Sequence, residues 1–266
     1  MNKTERLVAF ALFLMPVLWA PASSFAQSPF DGTWRINLDQ SRISPKPYVF
    51  SVNNGMYDCL WCSPNIHVKA NGQDQSVTGQ SYDTISVREV DPRSIVSTTK
   101  KSGKTVSERT YTVSDDGNTL TVKIMSHQEN GGQPMSEEVT LTRVGMAPAG
   151  ANGTSGSWRI NKVKGSENDL ITTYRVSGDE LSMSAPTGQS YTAKLDGEDH
   201  PVKGEYGYNS VSLRLVNDRT IEETHKLDGK VVEVVKMTVS PDGKRMTIVV
   251  TGKSTSGMST FVAEKQ

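Results

Sequence analysis

Cys59-Leu60-Trp61-Cys62 is the spacing with the most definite chemistry in this chain. Two cysteines separated by two residues can close a short disulfide, run thiol–disulfide exchange or lend two thiolates to a metal. Exchange catalysis places the first cysteine at a helix N-terminus, where its thiol pKa falls. Nothing from Asn53 to Asp58 starts a helix or a βαβ unit, so a thiol oxidoreductase is kept only as the first catalytic alternative. Cys59 and Cys62 are expected to form a structural disulfide that pins one loop, contributing about 2 kcal/mol through loop-closure entropy. Haem attachment needs a His directly after the second cysteine, where Ser63 stands, and Cys59, Cys62 and His67 offer at most three zinc ligands. His127, His200 and His225 are isolated in sequence, so no metal and no cofactor are expected.

Other catalytic signatures are missing from the chain. It has no Gly-x-Ser-x-Gly elbow, no phosphate-cradling glycine loop opening a helix and no His-Glu-x-x-His. Glu222-Glu223-Thr224-His225 brings acid and imidazole together; on a strand Glu223 and His225 share one side and Glu222 takes the other. This run reads as a solvated strand face, and the chain is expected not to be an enzyme.

The elements that must position these residues come in two copies. Gly32-Thr33-Trp34-Arg35-Ile36-Asn37 returns as Gly156-Ser157-Trp158-Arg159-Ile160-Asn161, and Thr112-Val113-Ser114-Asp115-Asp116-Gly117 returns as Thr238-Val239-Ser240-Pro241-Asp242-Gly243. The offset drifts from 124 through 125 to 126, which two one-residue insertions explain. Solenoid repeats run at roughly 20 to 50 residues, so a period this long is a duplicated domain. The copy of Glu222-Glu223-Thr224-His225 reads Ser97-Thr98 near Thr99 and keeps none of its chemistry.

Each copy is patterned as strands. Val211, Leu213 and Leu215 alternate with Ser212 and Arg214, and Val231, Val235, Met237 and Val239 share a parity that only Glu233 interrupts. Turn dipeptides punctuate them, among them Asn54-Gly55, Asn71-Gly72, Ser102-Gly103, Asn130-Gly131, Asp228-Gly229 and Ser256-Gly257. The fold class is all-β. About eight strands per copy would expose their edges unless each sheet closed, so two tandem antiparallel up-and-down β-barrels are expected, with two β-sandwiches as the alternative. Arg88 with Arg214 and Tyr82 with Tyr208 recur on a strand whose other parity is apolar, and these four are the candidate ligand-binding residues. Inward arginines would suit an anionic amphiphile; outward ones would be solvated, with tyrosine packing at a barrel end.

Residues 1–26 read as a secretory signal peptide: Lys3 and Arg6, an apolar run from Leu7 to Trp19, and Ser24-Phe25-Ala26 at the cleavage point. That run is shorter than the ~20 residues that span a bilayer, and no integral membrane segment is expected after cleavage. Formal net charge is zero, which argues against nucleic acid. The boundaries are then 27–144 for the first barrel, 145–155 for a flexible linker rich in Gly, Ala and Pro, and 156–266 for the second.

The opening Gly-x-Trp strand and the Asx-Gly meander look like the calycin group of lipocalin-like barrels. More closely, Asp31-Gly32-Thr33-Trp34, Leu195-Asp196-Gly197-Glu198-Asp199-His200-Pro201-Val202 and Val239-Ser240-Pro241-Asp242-Gly243-Lys244 resemble a group of exported, mostly uncharacterised bacterial proteins with lipocalin-like domains. That resemblance covers the mature chain and implies no catalytic residues. The Arg-x-Tyr pair of fatty-acid-binding proteins is absent from Thr140-Leu141-Thr142-Arg143-Val144 and Thr260-Phe261-Val262-Ala263-Glu264. The expected role is a periplasmic or secreted carrier of a small hydrophobic or anionic amphipathic ligand in one or both barrels. The alternative is an envelope protein-interaction or stress module with filled barrels.

Overall fold

The computed structural model describes residues 28–127, 134–204, 207–252 and 257–266. The leader 1–26, the Asn130-Gly131 turn and Ser256 lie outside the described residues. The first ten strands are β1 (Gly32–Arg42), β2 (Tyr48–Asn53), β3 (Met56–Cys59), β4 (Ile66–Lys69), β5 (Gln75–Ser76), β6 (Thr84–Asp91), β7 (Ser94–Lys101), β8 (Lys104–Val113), β9 (Thr119–Ser126) and β10 (Met135–Gly145). After them come β11 (Gly156–Gly165), a 3-10 turn (Glu167–Leu170), β12 (Ile171–Ser177), β13 (Glu180–Ser184), β14 (Ser190–Lys194) and β15 (Asp196–Pro201). The chain ends with β16 (Ser210–Asn217), β17 (Thr220–Leu227), β18 (Lys230–Val239), β19 (Arg245–Gly252) and β20 (Gly257–Lys265).

Turn chemistry sets the meander. Asn54-Gly55, Ser102-Gly103 and Asp228-Gly229 each hold both residues at positive φ, between 49° and 78°. This is the conformation of the two-residue hairpin turn whose twist matches its flanking strands. The strands collect into two nearly closed antiparallel barrels of ten strands each. The count exceeds the expected eight because short strands such as β4 and β5 extend the sheet at its two ends.

Sheet membership does not follow the repeat boundaries. The first barrel runs β4-β3-β2-β11-β10-β9-β8-β7-β6-β5, and the second runs β14-β13-β12-β1-β20-β19-β18-β17-β16-β15. The two tryptophan strands are therefore exchanged: β1 pairs with β12 and β20, while β11 pairs with β2 and β10. Residues 48–165 build the first barrel without a break, and the second is interrupted after its opening strand. Ser44-Pro45-Lys46-Pro47 carries the chain from β1 to β2. Its two prolines hold that segment extended, which prevents a tight β1–β2 hairpin. It lies between the barrels, with Ser44 N donating to Ser259 Oγ (3.0 Å) and Pro45 O accepting from Arg159 Nε (3.0 Å).

The segment expected as a flexible linker, 145–155, instead closes the first barrel between β10 and β11. Asn152, Thr154 and Ser155 are buried, and Asn152 N and Gly153 N donate to Val52 O and Pro92 O, each at 2.8 Å. Small polar residues look like linker in sequence, but here their backbone bonds plug a barrel end. Residues 28–31 do the same for the second barrel. Trp34 Nε1 donates to Phe30 O (2.8 Å) as Trp158 Nε1 donates to Thr154 O (2.9 Å).

Both tryptophans are fully buried floor pieces with a cation over the ring, Arg143 at 4.0 Å from Trp158 and Lys265 at 5.3 Å from Trp34. The glycine of Gly-x-Trp answers to its backbone, with φ of 126° at Gly32 and 131° at Gly156, a conformation that residues with a side chain rarely adopt. A Cβ on Gly156 would stand 2.6 Å from Arg143 Nη1, and one on Gly32 would stand 2.6 Å from Lys265 Cε. Arg143 also donates to Ser155 O and Gly153 O, both at 2.7 Å, so it ties β10 to the plug. Above each floor the alternating faces meet, Val52, Val87, Ile95 and Leu120 in the first barrel and Leu181, Leu213, Ile221 and Met246 in the second.

Candidate functional site

Cys59 and Cys62 form a disulfide. Cys59 is fully buried, and the bridge holds Trp61 edge-on against Tyr48, with ring centroids 4.5 Å apart. Arg88 and Arg214 do not enter the barrels. Ile85 and Val87, and likewise Val211 and Leu213, take the inner face, so strand alternation sends both arginines outward. Arg214 Nη2 pairs with Glu222 Oε1 at 2.8 Å on that outer face. Tyr82 and Tyr208 do turn inward: Tyr82 packs against the first core and Tyr208 belongs to the second. The sequence-derived quartet is thus split, and its charged half is not where a ligand inside a barrel would lie.

The first barrel contains a cavity of about 380 Å³. Its walls are inner-face side chains, notably Phe50, Tyr111, Val122, Val139 and Leu141, with Trp61 and Tyr48 at one flank. Ile36 and Phe261 from the second barrel complete the lining, so the cavity lies where the exchanged strands bring the barrels together. One end is polar. Arg109, Ile124, Glu137 and Gly165 are register partners across β8, β9, β10 and β11, and Asp169 of the 3-10 turn follows beside Gly165. Burial raises the Glu137 carboxyl above its ordinary range, Asp169 adds to the rise and Arg109 opposes it. Burial also pushes the Tyr57 hydroxyl well up, with Tyr111 and Tyr82 adding to it and Arg109 countering.

The second barrel uses the same positions differently. At a spacing of 126 residues, Arg109 and Tyr111 are replaced by Val235 and Met237, which fill the interior. Glu223 and His225, expected on a solvated face, are buried instead, because theirs is the inner parity of β17. His225 Nε2 lies 2.9 Å from Glu223 Oε2 and His225 Nδ1 lies 2.9 Å from Glu233 Oε1. Tyr208 stacks on the imidazole with centroids 3.8 Å apart, and Tyr191 Oη donates to Glu223. Burial alone would lower the imidazole pKa, but hydrogen bonds to Glu223 and Glu233 overcome it and raise it to about 9. A carboxylate on each ring nitrogen occupies both sites through which a histidine could bind metal or accept a proton. The cluster is a closed ion-pair core.

The inward charge could have been found in the sequence. Glu233 is the one residue that interrupts the apolar parity of β18, and a register shift between His225 and Lys226 sets it opposite His225. Arg109 likewise shares the parity of buried Ser107 and Val113 on β8. In the first barrel the cluster is replaced by Ser97, Thr99 and Ser107, all buried and small.

No helix among the described residues is long and apolar enough to cross a membrane. Comparison with known protein families, with characterised proteins and with solved structures finds no match to this chain.

Proposed function

We propose that this is an exported, non-enzymatic binding protein that carries one small apolar or amphipathic molecule in its first barrel. The observation that carries this is the cavity of about 380 Å³, walled by aromatic and aliphatic side chains and polar at one end. That size and lining suit a small-molecule site. The second barrel is read as scaffold, since Met237, Met246 and the His225 ion-pair cluster occupy its interior. Export to the periplasm or medium is supported by the disulfide, which oxidising compartments favour. Kinship with lipocalin-like proteins belongs to the same proposal and is supported by the tandem antiparallel barrels.

The test is titration of the mature protein with the neutral fluorophore N-phenyl-1-naphthylamine, beside a Val139→Trp variant that fills the cavity. One saturable site, lost in the variant while its circular dichroism is unchanged, is the expected result. Equal binding by both proteins, or none by either, rejects the carrier role.

A further inference from the structure

We propose that the Cys59–Cys62 bridge is part of the ligand site: it presents Trp61 as a preset wall of the cavity, so that affinity depends on the bridge more than the fold does. This rests on the carrier reading and names the side chain that grips the ligand, with the bridge as its positioning device. Trp61 lies between the two bridged cysteines, and it lines the cavity beside Tyr48 and Phe50. Trp61 and Tyr48 meet edge to face and are both half-buried, which leaves ring surface for an apolar guest. Little else holds the indole there. Leu60, Ser63, Pro64 and Asn65 are exposed; Leu60 N and Trp61 N share one acceptor, Val49 O, at 3.0 and 3.3 Å, and Gln80 Nε2 donates to Pro64 O at 2.8 Å. A segment with so little packing opens locally at small cost. An indole on such a loop would have to be ordered by the ligand, and a crosslink that fixes it beforehand removes that cost from binding.

The second copy makes the same connection without a crosslink. At a spacing of 125 residues, Cys59-Leu60-Trp61-Cys62 becomes Ser184-Ala185-Pro186-Thr187, with neither bridge nor indole. That turn closes through its own backbone, Ala185 N donating to Gln189 O and Gly188 N to Ala185 O, each at 2.9 Å. Closing this end of a barrel therefore does not require a disulfide. Bridge and indole stand together in the copy that has the cavity, and the copy whose interior is filled by Met237, Met246 and the His225 cluster has neither.

The experiment is a mutant cycle on the mature chain, read by titration with N-phenyl-1-naphthylamine: wild type, Trp61→Ala, Cys59→Ala with Cys62→Ala, and all three substitutions together. Loss of the indole and loss of the bridge should each weaken binding about tenfold, about 1.4 kcal/mol. The triple variant should be no weaker than either, because the bridge acts through the indole. Dithiothreitol gives the bridge two electrons and two protons, leaving two thiols and its own cyclic disulfide; it should reproduce the loss in wild type, with native circular dichroism, and leave Trp61→Ala unchanged. This arm decides the matter if the cysteine variant does not fold. Leu60→Ala, at the exposed neighbour, should bind as wild type does. Unchanged affinity without the bridge, losses that add to about a hundredfold in the triple variant, or unfolding on reduction overturns the assignment while the carrier reading stands. Wild-type protein that binds no fluorophore refutes the carrier reading itself.

Discussion

Raising the pH from 6.5 to 9 should destabilise the second barrel through one buried imidazole. The perturbation is deprotonation of His225, whose side chain is 6% exposed and bonded to Glu223 and Glu233 at 2.9 Å each. Its pKa is about 9 when folded, against 6.5 for a free histidine. The folded state therefore holds this proton more tightly than the unfolded chain. The resulting stabilisation is complete below pH 6.5 and is lost as pH climbs through 9. Each pKa unit corresponds to 1.36 kcal/mol, so the loss is about 3 kcal/mol over the window, with stability falling by up to about 1.4 kcal/mol per pH unit. Urea unfolding at half-unit pH steps, followed by circular dichroism, measures the slope. The control is His225→Gln with Glu223→Gln and Glu233→Gln, which removes every charge in the cluster while keeping hydrogen-bonding side chains of similar length. Nuclear magnetic resonance of the imidazole nitrogens gives the site's titration directly. A flat wild-type profile, an equal slope in the triple variant, or an imidazole titrating near 6.5 would refute the ion-pair core.

Two further outcomes follow from the strand exchange and the barrel floor. A fragment of residues 44–166 contains all ten strands of the first barrel and should fold alone, whereas 27–144 lacks β11 and should not; circular dichroism and proteolysis distinguish them. Cooperative folding of 27–144 with a native-like protease map would mean that β1 can replace β11. Trp158→Ala removes a fully buried indole together with its bond to Thr154 and its contact with Arg143. A loss of about 3–5 kcal/mol in denaturant unfolding is expected, and under 1 kcal/mol would show the floor to be dispensable.

Local signals carried the hairpins. Asn54-Gly55 and Asp228-Gly229 turn where they do because glycine and Asx tolerate positive φ, and this needs no distant partner. Parity likewise placed Glu223 with His225 on one side of β17 and, read against Val87 and Leu213, puts Arg88 and Arg214 outside. Which side faces a core was harder, because hydroxyl and charged residues on the inner parity of β7 and β17 resemble a wet face. Glu233 shows the limit most sharply. Its partner His225 is set by a register shift, a property of two strands together.

The chain alone determined that this protein is a doubled, strand-built domain with a tryptophan opening each copy, since repeats, turn dipeptides and alternation are written locally. It could not assign those opening strands to their barrels. Gly32-Thr33-Trp34-Arg35-Ile36-Asn37 and Gly156-Ser157-Trp158-Arg159-Ile160-Asn161 are nearly interchangeable, and each offers the same glycine, indole and alternating face to a neighbour. Only the tertiary structure decided the exchange, through the proline-held segment after β1 and the ten-residue plug that folds β11 back onto β10. The same exchange places Ile36 and Phe261 against the cavity of the other barrel. The candidate site is thus a product of assembly, formed where two copies of one pattern cross.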